Sequence, residues 1–93
     1  MVKVKTVENQ IWKREGVHGK IVHESGRDMR SDRNGLPSYG YARRAKGSMT
    51  VAQLRRTRFA TAYPGLRLEV YDGMGNPAQG NLTLDSLRET YSA

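Results

Sequence analysis

The 93-residue chain reads as a small α+β domain, and three local patterns carry that reading. Thr50-Val51-Ala52-Gln53 has the spacing of a capping box, so a helix begins at Thr50. Leu66, Leu68 and Val70 alternate with Arg67, Glu69 and Tyr71, the two-residue period of a half-buried strand. Val17–Glu24 also alternates, with Val17, Ile21 and His23 on one face and His18, Lys20 and Val22 on the other. A chain this short cannot divide its apolar residues between two cores, so residues 1–93 are expected to form a single domain.

Taken from the N-terminus, Val2, Val4 and Val7 among lysines, then Ile11 and Trp12, predict an opening strand bent near Glu8 and Asn9. The short connection Arg14-Glu15-Gly16 then joins it to Val17–Glu24, making residues 1–24 a strand hairpin. Residues 25–48 hold five glycines or prolines and few apolar residues, and predict a long loop. Within it Asn34-Gly35 marks a tight turn of the primed type, and Ser38–Arg43 suggests a short strand. Loops of this length in a compact domain are usually functional or disordered.

Met49 and Leu54 stand where a hydrophobic staple flanks the cap at Thr50. The helix is expected to run over 50–63, because Pro64 disfavours helical geometry at Tyr63 and Gly65 permits a turn. After the strand at 66–71, Asp72–Gly80 is a glycine-rich turn region. A short C-terminal helix, from Thr83 or Leu84 to Tyr91, places Leu84, Leu87 and Tyr91 on one stripe. Residues 49–93 thus read as helix-strand-helix, and the whole as a three- or four-stranded, mainly antiparallel sheet with two helices.

Charge is concentrated in the middle of the chain. Residues 25–63 hold Arg27, Arg30, Arg33, Arg43, Arg44, Arg55, Arg56, Arg58 and Lys46 against only Asp28 and Asp32, a net +7 that equals the formal charge of the whole protein. The flanking segments carry +2 and −2. So much like charge on a small domain repels itself and is easiest to understand if a polyanion is normally bound. Arginine outnumbers lysine eleven to five, and its planar fork grips phosphates in pairs and stacks on bases. Nucleic acid is therefore the expected partner.

Other chemistries find little support. The chain has no cysteine, so disulfides and cysteine-based zinc sites are excluded, and with 37% hydrophobic residues the core is expected to be thin. No apolar run of signal-peptide or membrane-spanning length occurs, and no membrane partner is expected. His18 and His23 point to opposite faces of one strand, which makes them poor joint metal ligands. A nuclease built on them with Asp28, Asp32 or Glu24 needs the fold to bring these groups together. Gly73-Met74-Gly75-Asn76 lacks the third glycine and following helix of a dinucleotide loop and reads as a turn. No catalytic residue, cofactor, metal or small-molecule substrate is expected.

The candidate interface residues are Arg27, Arg30, Arg33, Tyr39, Tyr41, Arg43, Arg44, Lys46, Arg55, Arg56 and Arg58. Tyr39 and Tyr41 flank Gly40 just before Arg43, Arg44 and Lys46, the aromatic-plus-basic texture in which bases stack and phosphates pair. Arg27, Arg30 and Arg33 recur every third residue beside flexible Gly26, Asn34 and Gly35. On a helical wheel Arg55 and Arg58 fall in the same arc as Val51, Leu54 and Phe59, so their stems are expected along the core edge, or else presented to a partner.

A cysteine-free, arginine-loaded domain with a capped helix at Thr50–Tyr63 and a long basic loop at Ser25–Ser48 resembles the small basic phage anti-CRISPR proteins that act on type I (I-F-like) surveillance complexes. The resemblance implies a non-enzymatic inhibitor in the bacterial host cytoplasm that docks on a ribonucleoprotein of Cas proteins and guide RNA and blocks target-DNA hybridisation. Many such inhibitors are acidic DNA mimics; a basic chain departs from that pattern and favours contact with the RNA. The alternative is a small DNA- or RNA-binding regulator of phage or plasmid origin that binds free nucleic acid. In either setting, changes at Arg43/Arg44 or Arg55/Arg56 are expected to matter more than changes at Arg67 or Arg88.

Overall fold

The chain opens with a helix, not a strand. In the computed structural model, which describes residues 2–23, 25, 27 and 34–91, α1 spans Val4–Glu15. Val4, Val7 and Ile11 recur at i, i+3 and i+7 and are at most 1% exposed, so a helical period governs the segment. The alternation of Val2 and Val4 with lysines mimics a strand over too short a span to compete. Gly16, expected in a hairpin connection, instead ends α1 in the left-handed region (φ 71°) and donates its N–H to the Trp12 carbonyl. The N-terminal hairpin is accordingly absent.

β1 (His18–His23) pairs antiparallel with β2 (Leu66–Tyr71), from His18 opposite Tyr71 to His23 opposite Leu66. Both strands match the sequence patterns, but they are partners across most of the chain. Among the described residues the sheet has these two strands; a third or fourth is not formed. Residues 38–43, expected as a short strand, have no strand structure, and Leu36 makes only an isolated bridge to Val2.

The central helix, α2, is continuous through Val51–Leu54, a π-helical stretch Arg55–Phe59, and Ala60–Ala62. Its capping box is complete: the Gln53 N–H donates to Thr50 Oγ1 at 3.2 Å, and the Thr50 N–H to Gln53 Oε1 at 2.9 Å. The last helix, α3 (Leu84–Glu89), is capped by Thr83, whose Oγ1 accepts from the Ser86 N–H. Leu84 and Leu87 are fully buried and Tyr91 packs partly against the core, as the stripe predicted.

One core joins these elements. Val7 and Ile11 of α1, Ile21, Leu68 and Val70 of the sheet, Leu54 and Phe59 of α2, and Leu84 and Leu87 of α3 belong to the same buried cluster. Residues 39–45 of the long loop are pinned to α1 by side chains reaching backbone amides. Tyr39 N–H donates to Gln10 Oε1 at 2.8 Å and Ala45 N–H to Glu15 Oε1 at 2.7 Å. These bonds substitute for a sheet ladder and give residues 39–45 a fixed path without regular structure.

Candidate polyanion-binding face

Helix α2 decides which arginines face outward. Its buried residues Val51, Leu54 and Phe59, with Tyr63 just past its end, follow at successive spacings of three, five and four, and each is at most 2% exposed. A regular α-helix turns 3.6 residues at a time, so after Leu54 it would bring Arg58 to the core. The π turn, closed by the Ala60 N–H on the Arg55 carbonyl, inserts one residue and delivers Phe59 instead. Thr57 Oγ1 donates to the Gln53 carbonyl at 2.6 Å, occupying an acceptor beside the widened turn.

Arg58 is thereby turned to the side of the core, where it meets Glu15. The Glu15 carboxylate is fully buried and holds three partners: Arg58 Nη1 at 2.8 Å, the Tyr39 hydroxyl, and the Ala45 N–H. Arg58 also donates to the Arg43 carbonyl at 2.6 Å and lies 4.6 Å above the Tyr41 ring, while the Tyr41 hydroxyl donates back to the Arg58 carbonyl. Burial, and then the bond and charge of Glu15, push the Tyr39 hydroxyl far above its ordinary range. Tyr39, Tyr41 and Arg58 therefore form an internal network rather than a surface available for stacking.

Two further arginines cap α1. Arg44 Nε donates to the Arg14 carbonyl at 2.9 Å, and Arg88 Nε donates to the Glu15 carbonyl at 2.8 Å and its Nη2 to Ala45 at 3.1 Å. Burial, then repulsion from Arg44, lowers the proton affinity of Arg88. Arg43 and Arg27 are exposed, and among the described residues only their carbonyls are engaged, by Arg58 and by the His23 N–H. Arg30 and Arg33, like Asp28, Asp32 and Glu24, lie outside the described residues.

The remaining cations come together. A groove of about 420 Å³ between α2 and β2 is lined by Arg55, Arg56 and Arg67 over a floor that includes Phe59, Leu66 and Leu68. A second, of about 350 Å³, runs along the other side of Arg56 and is lined by Lys46, Ser48, Met49, Gln53 and Thr57. Arg56 is the shared wall, so Lys46, Arg56, Arg55 and Arg67 make one cationic face. Among the described residues, none of these four side chains has a hydrogen-bond or ion-pair partner, and no carboxylate lines either groove.

Arg67 was expected to be peripheral; the alternation of β2 turns it outward beside α2, where it completes the first groove. The clue in the sequence is the pairing of an outward strand position with a helix packed on the same sheet, legible only once β2 and α2 are known to adjoin. The glycine-rich segment after β2 is a turn, as its sequence suggested: Asp72 Oδ1 accepts from the Met74 and Asn76 N–H groups. His18 packs against Trp12 and Tyr91 with its ring, and among the described residues no cluster of His, Asp and Glu has the makings of a metal site.

No family model matches this chain, and neither a curated protein nor a solved structure does so.

Proposed function

We propose that this protein is a non-enzymatic binding module that grips the phosphate backbone of nucleic acid through Lys46, Arg55, Arg56 and Arg67. The observation that carries the reading is that, among the described residues, these four cations have no internal partner and no carboxylate lines the two grooves they border, in a chain of formal charge +7. Guanidinium groups held on a helix and an adjoining strand are preorganised for phosphate, whereas Arg58 and Arg88 already satisfy groups of their own fold. The exposed Arg43 and Arg27 extend the field, and Arg30 and Arg33 belong to the same basic segment of sequence.

The resemblance to basic type I anti-CRISPR proteins supplies the biological setting for the same face. There the phosphates are those of guide RNA within a Cas ribonucleoprotein, and docking blocks hybridisation of target DNA. The alternative setting is a phage or plasmid regulator on free DNA or RNA. A pull-down from bacterial lysate with and without RNase separates them: a defined ribonucleoprotein favours the inhibitor, bulk nucleic acid the regulator. Replacing Arg55 and Arg56 together by Ala should abolish either capture. Capture that survives this change refutes the assigned face.

A further inference from the structure

Away from the cationic face, a cleft of about 500 Å³ opens between the end of α1, the start of β1 and the turn after β2, lined by Trp12, His18, Tyr71, Asp72, Gly73 and Tyr91 among others. Trp12 and His18 are stacked, with centroids 4.0 Å apart and planes 13° from parallel. Tyr91 stands 5.4 Å from Trp12 and 5.0 Å from His18, near perpendicular to both. Those three separations place Tyr91 beside the stack and not upon it, so neither it nor His18 covers the second face of Trp12. Trp12 is accordingly 38% exposed, one of two large hydrophobic residues so placed among those described.

The cleft is held in shape. The Tyr91 hydroxyl accepts from the His18 N–H and donates to the Tyr71 carbonyl, tying the tail of α3 to both strands. Gly73 donates its N–H to Thr90 Oγ1 at 2.8 Å, and a Cβ there would lie 1.8 Å from the Thr90 carbonyl oxygen, so the turn lies flush against the chain end of α3. Asp72 uses Oδ1 for two backbone amides of its turn, and its Oδ2 has no partner among the described residues.

We propose that this cleft receives an arginine side chain of a partner protein. A guanidinium stacks on an open indole face, which attracts cations, and donates to the free oxygen of Asp72. Asp72 is the one carboxylate among the described residues that line the cleft, no lysine or arginine is among them, and this carboxylate selects against a phosphate group. On the nucleic-acid reading, the protein then has two binding surfaces of opposite character, one for a polyanion and one for a cationic protein side chain.

Trp12 is the only tryptophan, so its fluorescence reports on the cleft directly. Titration of the intact protein with N-acetyl-arginine methylamide should give a saturable change in emission, and Asp72→Asn, which keeps an acceptor for the turn amides, should weaken it at least tenfold. Adenosine monophosphate should give no saturable change. Equal arginine binding by Asp72→Asn, saturation by the nucleotide in place of arginine, or no response to either probe overturns the proposal. Asp72→Asn should leave salt-dependent nucleic-acid binding intact, so failure here and failure of the cationic face are read separately.

Discussion

Glu15 is the residue on which the loop and two helices converge. Taking a carboxylate fully out of water is costly unless every partner is in place, and removing one member of a buried ion pair typically costs about 3–5 kcal/mol. A small domain has only about 5–15 kcal/mol of stability in all. Glu15→Ala or Arg58→Ala should therefore lower the urea midpoint severely, and the two effects should be far from additive, because both break the same pair, each strands the opposite partner, and the double change strands neither. Tyr63 makes a different prediction. Burial pushes its hydroxyl from 10.0 up to about 12, and the neutral O–H donates to the Pro37 carbonyl at 2.8 Å. A raised value in the folded state means that this contribution to stability is complete below pH 10 and is lost as pH rises through about 12. Thermal melts across that window should fall more steeply for the wild type than for Tyr63→Phe.

Helix α2 and the turn after β2 show what local sequence can specify. The Thr50 cap was legible from four residues because its bonds are local, and Thr50→Ala should cost about 1 kcal/mol in equilibrium unfolding. Two glycines invite a contrast. A Cβ at Gly73 would collide with the Thr90 backbone at 1.8 Å, whereas at Gly47 it would meet the Asp85 carboxylate at 1.9 Å. Backbone cannot swing aside and an Asp85 side chain that is 77% exposed can. Gly73→Ala should thus destabilise by about 1–3 kcal/mol, as overpacking does, and Gly47→Ala by much less. The π turn was not read from the sequence, although its mark is there: a five-residue gap between Leu54 and Phe59, with arginine where a 3.6-residue period wants an apolar side chain. The opening helix is ambiguous in the sequence for a related reason, since Val2 and Val4 offer a two-residue period and Val4, Val7 and Ile11 a helical one over overlapping residues.

Across the molecule, cations divide into those that build the fold and those that, among the described residues, have no internal partner. Four phosphate contacts through Lys46, Arg55, Arg56 and Arg67 predict a log affinity that falls with log salt at a slope of roughly −3 to −4, about a hundredfold loss between about 50 and 200 mM. Arg67→Ala should reduce that slope by about one, measured by fluorescence anisotropy with a single-stranded RNA. Arg88→Ala should leave the slope alone and lower the melting temperature, because its guanidinium closes α1. The salt slope of Arg67→Ala remaining at the wild-type value would remove that residue from the face.

Caps and alternation depend on neighbours in sequence, and so the helix at Thr50, strands within Val17–Glu24 and at Leu66–Tyr71, and the C-terminal helix could be inferred from residues alone; the concentration of arginine is equally local and is what the proposal of a polyanion partner starts from. Which guanidinium groups remain unpaired could not be inferred that way. That depends on Glu15 being buried beside Arg58, on Arg44 and Arg88 reaching the end of α1, and on Arg67 of β2 facing α2. Each of these is a contact between distant parts of the chain, and a charge shows itself as structural or available only when folding has given it a partner or left it without one.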